Sequence, residues 1–149
     1  AYQALAEVVQ FGWKENLGIE VEIVNQEWKA FLSAVESGDY QIARYGYVPL
    51  YPDPYPLFQI FTTEGTENFT GWSNSKYDQL VERAKVEVDP GKRDNLFLEA
   101  EDVLLGDVPI IPVFYYNSVY LIDSNVSGWF PDLMDRHPFK FLNYLQELN

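Results

Sequence analysis

The sequence predicts an α/β fold, mainly because helical and strand patterns alternate in its first 50 residues. Apolar residues first recur at helical spacing ahead of Gly18, at Leu5, Val8, Val9, Trp13 and Leu17. "GIEVEIV" then alternates apolar residues with glutamates, as a strand with one solvated face does. A second helical pattern closes at Gly38, with apolar residues at Trp28, Phe31, Leu32 and Val35. The short strand "YQIARYGY" comes next, and this order is typical of a βαβ-type unit.

The middle of the chain is predicted to be irregular and then helical. Prolines at 49, 52, 54 and 56 bar continuous helix or central strand from residues 48–72, although "PLFQIF" is expected to form one or two helical turns. The next helix is predicted to have Ser75 as N-cap and Asp78 at N3, and its apolar face is Tyr77, Leu80, Val81, Ala84 and Val88. The last helix is predicted to run from the N-cap Asp89 to Gly106, and it buries Leu96, Phe97, Ala100, Val103 and Leu104.

The run "VPIIPVFYYNSVYLI" follows the second of these helices and is almost continuously apolar and aromatic. Such a run is typical of strands buried on both faces, so we expect a buried strand pair that turns at Asn117-Ser118. The remaining residues are rich in aromatics and break their pattern at Pro131 and Pro138.

Composition excludes several classes of function. The formal charge of the 149 residues is −13, which leaves no excess of cations for nucleic acid or for an anionic membrane surface. The absence of cysteine excludes disulfides and thiolate metal sites. No apolar run reaches the roughly 18 residues of a membrane span. A helical pattern is already running at residue 2, with no leader before it, so we expect an excised piece of a longer chain.

Few residues are candidates for catalysis or for holding a cofactor. His137 is the only histidine and precedes a proline, so a zinc site or a serine–histidine–aspartate triad is not expected. Glu99 and Asp102 lie three apart on a helix, which is typical of a solvated face. Asp53 alone stands among aromatic and proline neighbours, where a carboxyl pKa could be raised for acid–base work. A hydrolase using Asp53 and a second carboxylate is therefore kept as an alternative, and no metal or cofactor is predicted.

The stretch "ARYGYVPLYPDPYPLF", residues 43–58, is the strongest candidate for a binding segment. Tyrosine offers a rigid aromatic face and a hydroxyl, and ligands of α/β sheets usually bind beyond the carboxyl ends of strands. Tyr45 and Tyr47 are expected on one side by alternation, and Gly46 would allow another backbone to come close, as in strand addition by a peptide. Two other interpretations stay open: the tyrosine rings could pack on neighbouring elements, or exposed aromatic residues could bind another protein.

The order of segments resembles the peptide and nickel solute-binding proteins of ABC importers, the oligopeptide- and dipeptide-binding type. The resemblance covers most of residues 10–122. It rests on "WKENLGIEVEIVNQEWKAFLSAVESGDYQIARYGYVPLYPDPYPLF", which resembles the family's aromatic crossover with its D-P dipeptide, and on "NSKYDQLVERAKVEVDPGKRDNLFLEAEDVLLGDVPIIPVFYYNSVYL". The second phrase is similar to the family's late helix pair and "P-I-I-P" strand.

The resemblance implies the C-terminal lobe of a periplasmic-binding-protein-like fold, two-lobed and hinged, with a mixed sheet flanked by helices. Residues 1–125 would be the ligand-binding lobe, and residues 126–149 a tail that crosses back to the first lobe, which lies outside this chain. It implies a substrate-binding component rather than an enzyme. Its partners would be a peptide or small solute and a membrane permease, and its location periplasmic or cell-surface anchored, with lipoproteins among the relatives.

The resemblance also implies that Gly46, Tyr47 and Val48 lie along the main chain of a bound peptide. The full set of ligand-binding residues that we predict is Arg44, Tyr45, Gly46, Tyr47, Val48, Tyr51 and Asp53. One position departs from the peptide binders, in which an acid three residues past the counterpart of Tyr47 pairs with the ligand's amino terminus. Leu50 stands there and supplies no counter-charge for an ammonium group. Either Asp53 takes over that role or the ligand is not anchored by a free amine. Arg44 matches a basic residue of some relatives that would fix a carboxylate or buttress the lobe.

Overall fold

The computed structural model describes residues 2–132 and 134–145, and it divides after residue 43 into two compact units. The unit that ends at Ala43 contains two helices, and the unit that begins at Arg44 contains the longer helices and the candidate binding segment. No helix of the described ranges is long and apolar enough to cross a membrane.

The first unit confirms both helices predicted there. Helix α1 spans Tyr2–Leu17, and Gly18 ends it with a φ of +67°, a value that glycine adopts at little cost. The extended stretch after it is held by the Gln10 side-chain amide, which donates to the Val21 carbonyl at 2.7 Å. Helix α2 spans Trp28–Ser37 and has Glu27 as its N-cap, and Gly38 closes it in the left-handed conformation, as predicted.

The core of the second unit lies between two helices, α4 at Ser75–Val86 and α5 at Pro90–Asp107. The predicted faces meet there, and the buried residues are Tyr77, Leu80, Val81, Ala84, Leu96, Phe97, Ala100 and Leu104. Val103 packs against this core from its edge. Asp89 and Pro90 start α5 as predicted, with the Asp89 carboxylate accepting from the Lys92 amide at 2.9 Å.

Three details of this helix pair differ from the prediction. Asn74, not Ser75, is the N-cap of α4, because its side-chain oxygen accepts from the amides of residues 76 and 77. Asp78 therefore lies at N4 rather than at the predicted N3. Its carboxylate accepts from the Thr63 amide at 2.9 Å and from the Thr63 hydroxyl at 2.6 Å. Val88 lies beyond the end of α4 and is 92% exposed, so its predicted place on the apolar face is wrong.

The segment before α4 confirms the predicted helical turns. Helix α3 spans Tyr55–Phe58 and continues as a 3-10 turn over Gln59–Phe61. The Phe58 ring lies 4.8 Å from the Phe97 ring, and the buried Tyr77 hydroxyl donates to the Phe58 carbonyl at 2.7 Å. These contacts fix α3 to the helix pair.

The predicted strands form no β-ladder among residues 2–132 and 134–145, where β1 at Val126–Ser127 and β2 at Asn143–Tyr144 are the paired strands. The predicted buried strand pair over residues 108–122 is wrong for this chain. Those residues are mostly exposed, and Tyr115 and Val119 are exposed to 91% and 88%. A strand is stabilised only by a hydrogen-bonded neighbour, and within the described ranges this run has none.

The tail forms a small cluster of its own. His137 stacks on Trp129 with ring centroids 3.7 Å apart. The Tyr120 ring lies edge-on to His137 at 5.0 Å and tilted to Trp129 at 4.8 Å. The His137 Nε2 lies 2.7 Å from an Asp135 carboxylate oxygen, so the histidine is held by an acid two residues before it. Residues 133 and 146–149 of the predicted tail 126–149 lie outside the described residues.

Candidate functional site

We call residues 44–58 the crossover segment; they lead from the start of the second unit into α3. Its first end is fixed by aromatic contacts. The rings of Tyr45 and Tyr47 lie 5.0 Å apart, which confirms that they share one side. Tyr45 packs edge-on against Phe69 and Tyr47 against Phe61, at 5.8 and 6.0 Å. Both tyrosines are half-buried by these neighbours, so their rings lie neither in a sealed interior nor fully in solvent.

The second end of the crossover segment is fixed by Asp53. Its two carboxylate oxygens accept from Nη1 and Nη2 of Arg93 on α5, at 2.9 and 2.8 Å. One of them also accepts from the Tyr55 amide at 2.8 Å and so satisfies an amide at the start of α3. These hydrogen bonds, above all those from Arg93, hold the pKa of Asp53 below its usual range.

Between the two fixed ends, the middle of the crossover segment is exposed. Val48 and Leu50 are exposed to 80% and 77%, and nearly half of Tyr51 is exposed. Prolines at 49 and 52 restrict the backbone here, so an apolar and aromatic strip is presented in a stiffened conformation. A strip of this kind can contact a ligand while losing little conformational entropy.

Arg44 and Gly46 both lie beside Tyr116. The Arg44 guanidinium donates to the Tyr116 hydroxyl, and its carbon lies 5.9 Å from the centre of that ring. A Cβ at Gly46 would lie 3.6 Å from Arg44 Nη2 and 3.8 Å from Tyr116 Cε2, which is ordinary contact. Gly46 therefore lies beside the Tyr116 ring. Its role of allowing another backbone to come close stays a prediction.

Three residues of this site were missed by sequence reasoning: Arg93, Tyr116 and Arg136. Arg93 lies forty residues after Asp53, and Arg136 donates to the Leu50 carbonyl at 3.1 Å from eighty-six residues away. Helical or strand spacing cannot reveal pairs so distant in sequence. The one available sign was that the first turn of α5 holds two cations, Lys92 and Arg93, where an acid is more usual.

The chemistry of the site fits binding better than acid–base work. A general acid needs a raised carboxyl pKa, and that of Asp53 is lowered. Within the described ranges, no three histidine, aspartate or glutamate side chains cluster as metal ligands do. The seven predicted ligand residues thus divide into packed tyrosines, Arg44 and Gly46 beside Tyr116, an exposed Val48 and Tyr51, and an ion-paired Asp53. Their contact with a ligand stays a prediction.

Comparison with known proteins shows which family the chain resembles. Residues 1–69 match the family model of the bacterial extracellular solute-binding proteins, family 5 Middle. The dipeptide-binding protein DppE of Bacillus subtilis is 36% identical over 142 residues, which cover 95% of this chain and 25% of that protein. The chain thus spans about a quarter of the length of the curated relatives it matches.

Solved structures show the same fold. The Escherichia coli murein tripeptide binding protein MppA superposes with a TM-score of 0.84 at 26% identity, over 98% of this chain and 29% of that one. Haemophilus influenzae OppA, solved in complex with RPPGFSPFR, superposes with a TM-score of 0.83 at 26% identity, over 97% and 29%. These similarities confirm the predicted fold class, a lobe portion of a periplasmic-binding-protein-like fold, although the mixed sheet is not formed by the described residues alone. Over the part it spans, the chain therefore matches the bacterial extracellular solute-binding proteins of family 5 and is similar to oligopeptide- and dipeptide-binding proteins.

Proposed function

We propose that this chain is part of the substrate-binding component of an ABC importer, which captures peptides or a related small solute between two lobes. The observation that carries this proposal is the exposed strip of the crossover segment, at Val48, Leu50 and Tyr51, held between two fixed ends. The nonapeptide complex of a structural relative supports a peptide as the ligand.

The remaining parts of the proposal concern the whole protein. Residues 1–125 serve as the C-terminal ligand-binding lobe, and residues 126–149 cross back to a first lobe outside this chain. The protein works outside the cytoplasm, either in a periplasm or anchored to the cell surface as a lipoprotein, and it delivers its ligand to a membrane permease. It carries out no catalysis and needs no cofactor.

Native mass spectrometry of the full-length protein purified from its source tests the proposal. We expect a bound peptide or small solute that leaves on denaturation. Calorimetric titration with RPPGFSPFR then measures affinity directly. A full-length protein that carries nothing and binds neither this peptide nor a mixture of di- and tripeptides would contradict the proposal.

A pair of matched variants tests the crossover segment as the binding surface. Tyr51→Ala in the full-length protein removes an exposed ring of the strip, and we expect it to weaken peptide binding about tenfold or more, as loss of an aromatic anchor does. Tyr51→Phe keeps the ring and should retain most of the affinity. Equal affinity of the wild type and Tyr51→Ala would remove this residue from the site.

A protein-interaction domain is the alternative that the exposed aromatics allow, and affinity in the isolated 149-residue chain separates the two. A ligand gripped between two lobes loses much of its affinity when one lobe is absent, from micromolar to about millimolar, or roughly 4 kcal/mol. A docking surface would keep its full affinity in the isolated chain. The hydrolase alternative is not favoured, since the pKa of Asp53 is shifted the wrong way for a general acid.

A further inference from the structure

Arg93 lies at the centre of a group of contacts that joins the crossover segment to the helix pair. Its guanidinium binds both oxygens of Asp53 in the parallel, two-pronged geometry that fixes orientation as well as distance. Its Nε donates to the Ala84 carbonyl in the last turn of α4, at 3.0 Å. Its carbon lies 4.9 Å from the ring centre of the buried Phe97.

The Asp53 side of this pair is equally well placed to set the backbone. Its carboxylate accepts from the Tyr55 amide, and its own amide donates to the Tyr51 carbonyl at 2.8 Å, which makes a tight turn. The pair is also sheltered, with side chains exposed to only 24% and 26%, whereas the other described Lys or Arg ion pairs with acids are exposed to 48% or more. A sheltered, two-pronged ion pair resists water and salt better than an exposed one.

We propose that Arg93 and Asp53 are positioning residues, which lock the exposed strip onto the helix pair in its binding conformation and do not themselves contact the ligand. This inference rests on the proposed function. It has a consequence for the ligand: Asp53, the one acid of the crossover segment, is occupied by Arg93 and does not replace the missing acid at Leu50. The strip therefore grips a peptide without a carboxylate for its amino terminus, so peptides with a blocked amino terminus are accepted.

Two measurements on the full-length protein test the inference. The variants are Arg93→Met and Asp53→Asn, the double variant, and two controls. Arg83→Met removes an exposed arginine of α4, and Leu104→Ala lowers stability from the buried far end of α5 without touching the pair. All are compared at a temperature at which circular dichroism shows each variant folded.

The first measurement is amide hydrogen exchange over residues 50–58. We expect Arg93→Met and Asp53→Asn to speed exchange there about tenfold or more, and we expect Arg83→Met to leave it unchanged. Leu104→Ala should speed exchange in α4 and α5 at least as much as in the strip. Wild-type exchange rates over residues 50–58 in both Arg93→Met and Asp53→Asn would overturn the inference.

The second measurement is calorimetric titration with RPPGFSPFR and with its N-acetylated form. We expect the wild type to bind both forms within about threefold, and each single variant to weaken both about equally, by about tenfold. The double variant should lose no more than either single variant, because the two residues act as one unit. A loss confined to the free-amine peptide would show that Asp53 anchors the amine and would overturn the inference.

The two measurements separate this inference from the proposed function. A wild type that binds neither peptide contradicts the proposed function, while the exchange of residues 50–58 still decides whether the pair positions the strip. Binding by the wild type with unchanged affinity in Arg93→Met overturns the positioning role and leaves the proposed function standing.

Discussion

The helix pair α4–α5 and the run of residues 108–122 are both rich in apolar residues, yet one is buried and the other is exposed. In the helix pair, Tyr77, Val81 and Ala100 have no exposed surface. In the run, Tyr115 is 91% exposed, although the run is almost continuously apolar and aromatic. Hydrophobic content therefore does not decide burial in this chain.

The difference lies in where each element finds its backbone hydrogen bonds. A helix satisfies most of its amides and carbonyls within itself, so α4 and α5 need no neighbouring strand and are stabilised by burying their apolar faces against each other. A strand needs a neighbour at about 4.8 Å before it can be stable. Within the described ranges the run has no such neighbour, so its apolar side chains remain exposed.

The largest effect we predict separates these regions by a matched truncation. Phe97→Ala removes a ring that is 5% exposed and packs on Phe58, so the free energy of unfolding of the 149-residue chain should fall by about 3–5 kcal/mol. Phe114→Ala, at a ring that is 51% exposed, should change it by less than about 1 kcal/mol. Urea denaturation followed by circular dichroism measures both. Equal losses would mean that the run is packed.

A smaller effect is predicted for a single hydroxyl group. Burial raises the pKa of Tyr77, whose hydroxyl donates to the Phe58 carbonyl, so the phenol stays neutral and keeps this bond. Tyr77→Phe leaves that carbonyl without its donor and should cost about 1–3 kcal/mol. Tyr115→Phe in the exposed run should lie within about 0.5 kcal/mol of the wild type. If Tyr77→Phe left the free energy of unfolding unchanged in the same denaturation experiment, the hydrogen bond between Tyr77 and Phe58 would be contradicted.

The smallest effect we predict is a pH dependence of stability. Because the folded pKa of Asp53 is below its unfolded value of about 3.9, its pairing with Arg93 stabilises the fold fully above that value. This stabilisation is lost as the pH falls through the lower folded pKa. The free energy of unfolding, measured from pH 6 down to pH 2, should fall less in Asp53→Asn and in Arg93→Met than in the wild type. The same fall in all three proteins would exclude a native Asp53–Arg93 pair.

The features that could be predicted from the sequence are helix starts and ends, because these depend on residues close together in the chain. Gly18 and Gly38 end helices because each adopts a positive φ, and Asp89 starts one because its carboxylate reaches an amide three residues on. Asn74 took the N-cap role predicted for Ser75 because both residue types cap helices, and the Asn74 side chain also donates to Asp107 at 2.9 Å. Adjacent cap formers cannot be ranked by pattern alone.

What the sequence could not predict depends on distant residues. The tyrosine alternation correctly placed Tyr45 beside Tyr47, whereas their ring partners Phe69 and Phe61 follow from the tertiary fold. The contact of Arg44 with Tyr116 likewise follows from the tertiary fold. Asp53 stood out by its aromatic neighbours, but its ion pair with Arg93 reverses the direction of pKa shift that those neighbours suggested. The strand predictions failed because a strand needs a hydrogen-bonded partner, which is also distant in sequence, and the predicted strands have none within the described ranges.

Amide hydrogen exchange in the full-length protein, with and without RPPGFSPFR, tests most directly whether the crossover segment binds the ligand. We expect peptide binding to slow exchange in residues 44–53 and to leave exchange in the core of α5, around Phe97 and Ala100, unchanged. Slowed exchange elsewhere in the protein, with residues 44–53 exchanging at the same rate in both states, would contradict the claim that the crossover segment forms a wall of the binding site.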